Sequence, residues 1–364
     1  MAKDKLSINS FNCRGLRDSK KRNTVFNWLQ TKHSGLTLLQ ETHSIQTDEK
    51  IWENESVGQI FFSHGTCQSR GVAILIPHYL QEKVKIKNMR KDDEGRIIIL
   101  ECQIEGSEII LVNIYAPTKD QQAAQVQFLN NLTALLQEFI GKNLIIAGDF
   151  NTYLNCKLDK KGGRIEGQSN YSKAINAFYE QLSLTDNWRI RNPTQLKFTR
   201  RDYTRAGLVQ SRLDYFLVSM QIGNQISNCT IKPGFKSDHS LLQIAFDLLG
   251  TQTRGRSYWK FNNNLLHDKT YICMIKDEIK SICQTVNTEN KNTLWEFAKC
   301  QIRTVTISYA KALSKHNKER ESFLQKKLEI LENSLTEYSQ NTEYHAVKAE
   351  WELFQTKKIR SSNV

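Results

Sequence analysis

Six carboxylate and amide side chains, one phenol and one imidazole stand where apolar runs of this chain stop. SINSF runs out at Asn12, LTLLQ at Glu41 within LLQETH, and EIILVNI at Tyr115 within NIYAP. LIIAG runs out at Asp149 and Asn151 within GDFN. Asp214 lies inside RLDYFLV, and Asp238 and His239 stand just before LLQIAF. Oxygen donors without cysteine suit a hard cation, Mg²⁺ or else Mn²⁺, with Glu41 as the leading carboxylate ligand. Such an ion neutralises charge on a phosphate oxygen and on the leaving oxygen. Cleaving a phosphodiester also needs a water that is deprotonated and aligned, a task suited to Asp149, with Asn151 holding the phosphate. His239 is placed to donate to that phosphate, oriented by Asp214 through its other ring nitrogen, while Tyr115 adds a hydrogen bond. The set reads as a site for phosphoester hydrolysis.

Taken singly, most of these residues have a plainer account. Asn12 and Asn151 suit turns, where asparagine tolerates unusual backbone conformations. Tyr115 suits a core aromatic with a wet hydroxyl. Glu41 could pair with a lysine, and an Asp–His dipeptide with a flanking serine is short enough to arise by chance. Asp214 is harder to dismiss, because a carboxylate inside an apolar strand needs a partner.

The elements that would position the set are short strands alternating with helices. Residues 7–11, 36–40, 60–64, 71–76, 96–104, 108–115, 144–148, 212–219 and 241–246 read as strands, several of them rich in β-branched residues. Between them, Val126, Leu129, Leu132, Leu136 and Phe139 repeat at helical spacing, and a second helix begins near Ser172. Alternation of this kind predicts a layered α/β architecture, in which strand ends converge on one edge and loops build the site. The character changes near residues 250–264, GTQTRGRSYWKFNNN. Beyond it, Ile272, Ile275, Ile279, Ile282 and Val286 form one apolar stripe, and Leu324, Leu328, Leu331, Leu335 and Tyr338 form another. Two heptads are too few for a coiled coil, so a helical hairpin or docking arm is expected. The division predicted is 1–248 for the α/β domain and 249–364 for a basic, mostly helical region.

Charge narrows the partner. The chain has 51 Lys+Arg against 38 Asp+Glu, a net charge of +13. Residues 157–212 hold 12 basic and 5 acidic residues, whereas the other residues of the first 250 hold 20 of each. One positive segment beside the strand ends favours a polyanion, where a uniformly solvated surface would spread its charge. The helical region is also basic, with 19 against 13 over 251–364, which a solvated helix face explains as well as nucleic acid does. No apolar run reaches the roughly 18–20 residues of a membrane helix, and no membrane partner is expected. The start, MAKDKLSINSF, lacks the apolar region of a secretion signal. Eight cysteines without CxxC pairs read as core thiols rather than as a disulfide or zinc framework.

FNCRGL, LLQETH, GVAILI, LVNIYAP, IIAGDFNT, SRLDYFLVS and SDHSLL, in this order, resemble the endonuclease/exonuclease/phosphatase superfamily. Within it the chain looks most like the apurinic-endonuclease-type domain that opens the polyprotein of LINE-type non-LTR retrotransposons. RGRSYWKFNNNLL and the basic helices after it are similar to the segment joining that domain to the reverse transcriptase. The likeness is strong over 6–246 and looser beyond. It implies a four-layer, DNase I-like sandwich of two mixed β-sheets flanked by helices, with a helical C-terminal extension. It also implies Mg²⁺-dependent nicking of double-stranded target DNA that leaves a 3′-hydroxyl to prime reverse transcription. Asn12, Glu41, Tyr115, Asp149, Asn151, Asp214, Asp238 and His239 all occupy matching positions, with Glu41, Asp238 and Asn12 around the metal. Thr199 and Ser237 match positions that contact DNA or the active site in relatives, and Lys236 adjoins the second of these.

The sequence departs from many relatives at Arg200 and Arg201, where an aromatic or small residue is usual. The segment RRDYTRAGLVQ corresponds to a variable hairpin that probes the DNA groove, so target preference does not carry over. Arg200, Arg201 and Arg205 are expected to reach a minor groove. No reverse-transcriptase motif is present before Val364; a piece of a longer polyprotein and a stand-alone remnant both fit. The resemblance further implies retroelement RNA as a partner, and nuclear action after a cytoplasmic ribonucleoprotein stage. An abasic-site repair nuclease or another superfamily phosphoesterase is the alternative, opposed by the tryptophan-bearing basic tail. A DNA-tethering protein with a decayed site is opposed by the complete set of polar residues.

Overall fold

Fifteen strands and ten helices are defined in a computed structural model that describes residues 6–56, 58–118, 120–163, 170–204, 207–246, 259–285, 290–334 and 338–360. The first strands and helices are β1 (Leu6–Asn12), α1 (Ser19–Lys32), β2 (Leu36–Gln40), α2 (Glu49–Glu55), β3 (Gly58–Ser63), β4 (Val72–Pro77) and α3 (His78–Gln81). They are followed by β5 (Val84–Lys91), β6 (Ile97–Ile104), β7 (Ser107–Tyr115), α4 (Gln122–Leu136), β8 (Leu144–Asp149) and β9 (Lys160–Lys161). Next come α5 (Asn170–Gln181), β10 (Leu184–Asp186), α6 (Asn187–Arg191), β11 (Arg200–Thr204) and β12 (Gly207–Ser211). β13 (Asp214–Ser219), α7 (Met220–Gly223), β14 (Ile226–Lys232) and β15 (Leu241–Phe246) complete the α/β part. Three helices remain: α8 (Lys269–Thr285), α9 (Lys291–Ser334) and α10 (Tyr338–Arg360).

Two six-stranded sheets form the sandwich, ordered β14-β15-β1-β2-β4-β3 and β10-β13-β8-β7-β6-β5. Both are mixed: β1–β2 and β7–β8 run parallel, and their other neighbours run antiparallel. The inner faces meet in one core that includes Ile8, Leu38, Ile74, Ile98, Leu111, Ile145, Phe216 and Ile244. Alternation sends the other residues outward. Phe11 meets Trp28 of α1, with ring centroids 5.5 Å apart. On the far side Val112, Ile146 and Leu217 pack under Phe128, Leu129 and Leu132 of α4 and Phe178 of α5. Helix, sheet, sheet and helix make four layers, each sheet buried on both faces, and for that reason its central strands read as unbroken apolar runs. β8, with LIIAGD buried at every position, is the extreme case.

All nine expected strands are present. α1, α2, β5, β10 and β14 carry no comparable sequence signal. β5 and β14 are edge strands whose exposed positions are polar apart from Met89, so neither presents an apolar run. Asp214 begins its strand, a correction to its expected place in mid-run. The cysteines also depart from expectation: Cys13, Cys102 and Cys229 are buried, but Cys67, Cys156, Cys273, Cys283 and Cys300 are exposed. A small thiol carries too little apolar area to force burial where the local element faces water.

The chain divides into two compact units: residues 1–253 with 331–344, and 254–330 with 345–364. In the second unit Tyr309 donates to Asp268 (2.6 Å), and the Tyr271 and Thr306 hydroxyls lie 2.8 Å apart, joining α8 to α9. Arg320 pairs with Glu350, and Gln355 and Lys358 donate to Glu321, so α9 and α10 run antiparallel, as a helical hairpin requires. Leu324 and Leu328 of the expected stripe are buried; Val286 and Leu335 lie outside the described residues. No helix among the described residues is long and apolar enough to cross a membrane.

Candidate active site

Strand register places three of the predicted residues side by side. Tyr115 ends β7 opposite Asp149, and Asp149 ends β8 opposite Asp214, the first residue of β13. In the other sheet Asn12 ends β1 opposite Gln40, one residue before Glu41. The two sheets therefore deliver their polar residues to the same edge. A polar layer beneath them fixes the spacing: Gln40 donates to Asn113 Oδ1 (2.7 Å), and Asn113 donates to the Leu39 and Ala73 carbonyls (2.9 and 2.8 Å). Gly148 lets β7 and β8 close tightly, since at φ +146° any Cβ would sit 1.9 Å from Ile114 O.

Asn12 joins the two sheets directly, with Nδ2 donating to Glu41 Oε1 and to Asp149 Oδ2, both at 3.0 Å. Its Oδ1 accepts from the Arg14 amide (3.1 Å). The Asn151 amide donates to Asp149 Oδ1 (2.8 Å), and its side chain donates to Ala116 O (2.7 Å). That turn holds Asn151 at φ +49°, a conformation asparagine tolerates. His239 Nδ1 lies 2.9 Å from Asp214 Oδ2, while Nε2 is 3.8 Å from Asp149 Oδ2. Asp149, Asp214 and His239 are buried, and one ligand atom from each falls within 4.8 Å of the others.

Electrostatics follow from this enclosure. Burial drives the Glu41 carboxyl up, but His43 Nε2 at 3.8 Å, hydrogen bonds from Asn12 and Tyr115, and the charge on His239 outweigh it and lower its pKa to about 2. Burial and the neighbouring Asp214 raise Asp149 above the usual carboxylate range, against the opposing pull of His239. Burial lowers the His239 imidazole, yet Asp214 and Asp149 flank it and lift it to about 9. Burial, then the charges of Glu41 and Asp149, push the Tyr115 phenol well up, so it stays a donor. The cluster thus holds a charged Glu41, a cationic imidazole and a carboxylate that titrates high.

The remaining expected residues take these places. Asp238 sits against Arg14 and Arg200, each at 3.6 Å. Thr199 is fully buried, and its hydroxyl accepts from the Leu213 and Asp214 amides (2.9 and 3.2 Å), bracing the start of β13. Ser237 is buried, donates to Asn12 O (2.7 Å) and accepts from the His239 amide (3.1 Å), tying the Asp-His loop to β1. Lys236 lies over Phe235 at 5.9 Å. Arg200 forms a backbone bridge to His239 and borders a groove of about 300 Å³ with Asn151, Thr152 and Lys160. Arg201 corrects the expectation of a free groove-reading cation: it is buried and paired with Glu332 at 2.9 Å. Successive strand residues face opposite ways, so Arg200 and Arg201 cannot both meet one surface. Arg205 lies outside the described residues.

Sequence reasoning missed the support for Asp214. Arg212 is 1% exposed and binds Asp159 (2.8 and 3.2 Å) and Asp186 (2.6 Å), with its guanidinium 4.4 Å from the Tyr215 ring. Arg189 also reaches Asp159 at 2.5 Å. An arginine two residues before a strand aspartate was the available signal.

A model of the Endonuclease/Exonuclease/phosphatase family matches residues 9–239. The "Transposon TX1 uncharacterized 149 kDa protein" of Xenopus laevis is 28% identical over 313 residues, 85% of this chain. The match covers 23% of that relative, so the chain spans about a quarter of its length. Among solved structures, the AP endonuclease LMAP from Leishmania major superposes with a TM-score of 0.57 at 16% identity, over 66% of this chain and 87% of that one. The 3′-5′ exonuclease NExo from Neisseria meningitidis superposes with 0.54 at 19% identity, over 66% of this chain and all of that one. An AP endonuclease from Archaeoglobus fulgidus gives 0.52 at 20% identity, over 66% and 99%. At such identities these structures speak for the fold.

Proposed function

The chain belongs to the endonuclease/exonuclease/phosphatase family, and from that premise we propose that it is a divalent-metal-dependent endonuclease of a LINE-type non-LTR retroelement. It would nick duplex target DNA and leave a 3′-hydroxyl for reverse transcription, acting on chromosomal DNA in the nucleus. The observation that carries the reading is the Tyr115–Asp149–Asp214 rung, with His239 held between the two aspartates.

Asp149 takes a proton from the attacking water. Its raised affinity for a proton makes it a better base near neutral pH than an ordinary carboxylate, and hydrogen bonds from Asn12 and Asn151 fix its oxygens. His239 keeps its proton on Nε2 because Asp214 holds Nδ1. Nε2 is too far from Asp149 for a direct hydrogen bond, so that proton can be given to a phosphate oxygen. Tyr115, kept protonated, gives its single O–H to Glu41 and would have to turn from it to reach the phosphate, whereas Asn151 has a second N–H to offer. Lys160 and Arg200, beside Asn151, would meet the flanking backbone, which makes binding salt-sensitive.

A hard cation fits the donors present. Glu41 is ionised across the physiological range, and the buried Asp214 Oδ1 and Asp238 Oδ1 have no hydrogen-bond partner. Glu41 would be its main ligand, and Asp238 a second; Asn12 turns its amide nitrogen to Glu41 and so orients that carboxylate. Bound there, Mg²⁺ or Mn²⁺ supplies charge neutralisation at the phosphate and leaving oxygens. Supercoiled plasmid with Mg²⁺ tests the reading: the chain should convert it to open circle, chelator should stop the reaction, and folded Asp149→Ala and His239→Ala variants should be inactive. Undiminished nicking by both variants would sink the assignment.

A further inference from the structure

The small hairpin β11–β12, whose Gln210 and Ser211 also pair with Lys161 and Lys160 of β9, is gripped by side chains at one rung. Arg201 and Gln210 are partners across it. Arg201 meets the Glu332 carboxylate at 2.9 Å, and Gln210 Nε2 donates to the Glu332 main-chain carbonyl at 3.1 Å. One residue therefore holds both strands, one through its side chain and the other through its backbone. Lys197, just before the hairpin, reaches the same carboxylate at 3.6 Å. Tyr344 closes over Arg201, its ring 5.8 Å from the guanidinium. Glu332 and Gln210 are almost wholly buried, at 3% and 1% exposure, and residues 331–344 group with the α/β unit rather than with the other helices.

The position of that rung matters. One rung toward the site, Arg200 pairs with Ser211, bridges His239 and lies against Asp238. The Thr204–Gly207 end of the hairpin lies the other way. The grip thus falls between the catalytic loop and that end, where a small rotation would swing the end while leaving Arg200 in place. A buried carboxylate facing two buried cations cannot slide without exposing unpaired charge, so the contact sets an angle as well as an attachment.

We propose that Glu332 is a positioning residue for target choice: by clamping the Arg201–Gln210 rung it fixes the pose in which β11–β12 meets DNA. The segment 331–344 would then help to determine which sequences are nicked, although it lies far along the chain from the site. The proposal rests on the endonuclease reading for its consequence, but not for the clamp itself.

The test uses the full chain with Glu332→Gln, Glu332→Arg and the reciprocal Arg201→Glu/Glu332→Arg. Two quantities are read: nick positions on a random-sequence duplex, and amide hydrogen exchange across residues 200–211. Both single variants should change the ratio between favoured and disfavoured sites by about fivefold or more, the scale of one charged hydrogen bond. Total nicking should stay within about twofold, since no group that touches the phosphate has changed. Exchange should quicken across the hairpin and stay slow in β8. The reciprocal pair restores the 201–332 ion pair but sets Lys197 against a cation at 332, so both readouts should recover in part. An unchanged nick distribution, or loss in the single variants with no recovery in the pair, would overturn the proposal. If the reversal fails to fold, the isosteric Glu332→Gln decides, and unaltered hairpin exchange in it refutes the clamp. A wild-type chain that does not nick at all refutes the endonuclease reading instead, and the exchange measurement still judges the clamp.

Discussion

Removing the charge of Asp214 should move the alkaline limit of activity, and the structure sets the size of the move. In the wild type, burial lowers the His239 imidazole while Asp214 at 2.9 Å and Asp149 at 3.8 Å raise it, to a net value of about 9. Against an ordinary 6.5, that rise is a preference for the imidazolium of roughly 3 kcal/mol in a buried group. Asp214→Asn keeps an acceptor beside Nδ1 but removes the nearer charge, so the imidazole should return to about 6.5 or below. At pH 7.5 the protonated fraction then falls from near unity to about a tenth, and nicking should slow by about tenfold. At pH 6 most imidazoles are protonated again and most of the difference should vanish. Asp149 shifts in the same direction, because Asp214 also raises it, and this keeps the acidic limb from cancelling the recovery. Single-turnover nicking from pH 5.5 to 9.5 reads this directly. The same loss at every pH, or an alkaline limb still near 9, would refute the role given to Asp214. Stability should follow the same sign. A raised histidine stabilises fully below its unfolded value of 6.5 and loses that contribution as pH rises through about 9. The wild type should therefore soften across that window more than Asp214→Asn does.

Three further outcomes are expected. Gly148→Ala must push β7 from β8, because its Cβ would lie 1.9 Å from Ile114 O; thermal melts should show a loss of at least about 2 kcal/mol, and an unchanged Tm would contradict the packing argument. Arg212→Met leaves the fully buried Asp159 facing only Arg189, so denaturant unfolding should lose about 3–5 kcal/mol, and a change under about 1 kcal/mol would show that the cluster does not brace β13. Exchanging residues 202–209, which spares Arg200 and the Arg201–Gln210 rung, for an unrelated hairpin end should move the preferred nick sites and leave the rate on mixed DNA similar; an unchanged cleavage map would remove the hairpin from target choice.

The central strands were legible because each is covered on both faces, which forces an unbroken apolar run such as LIIAGD or VAILIP. The candidate site residues were legible for the complementary reason: Asn12, Asp149 and Glu41 stand at or just past the last residue of such runs, where nothing apolar accounts for them. Which strand ends would meet was not in those runs, because it depends on register, and register joins Tyr115, Asp149 and Asp214 across nearly a hundred residues of sequence. The edge strands β5 and β14 were hidden by their mostly polar outer positions. The charged residues misled most. Arg201 looks like Arg200 in the sequence, but the strand turns one toward the site and the other toward Glu332, 131 positions away. Thr199 and Ser237 match positions that contact DNA or the active site in relatives, and here their hydroxyls hold the backbone of Asp214 and His239. Both hydroxyls still serve the site, through the residues they position.

The most direct test of the central claim is the chemistry of the ends. Supercoiled plasmid treated with the wild-type chain and Mg²⁺ should gain single-strand nicks that a DNA polymerase extends at once, because the proposed break of the P–O3′ bond leaves a 3′-hydroxyl and a 5′-phosphate, and Asp149→Ala should yield no extendable ends. Intact plasmid, ends that extend only after phosphatase treatment, or equal extension with Asp149→Ala would contradict the account.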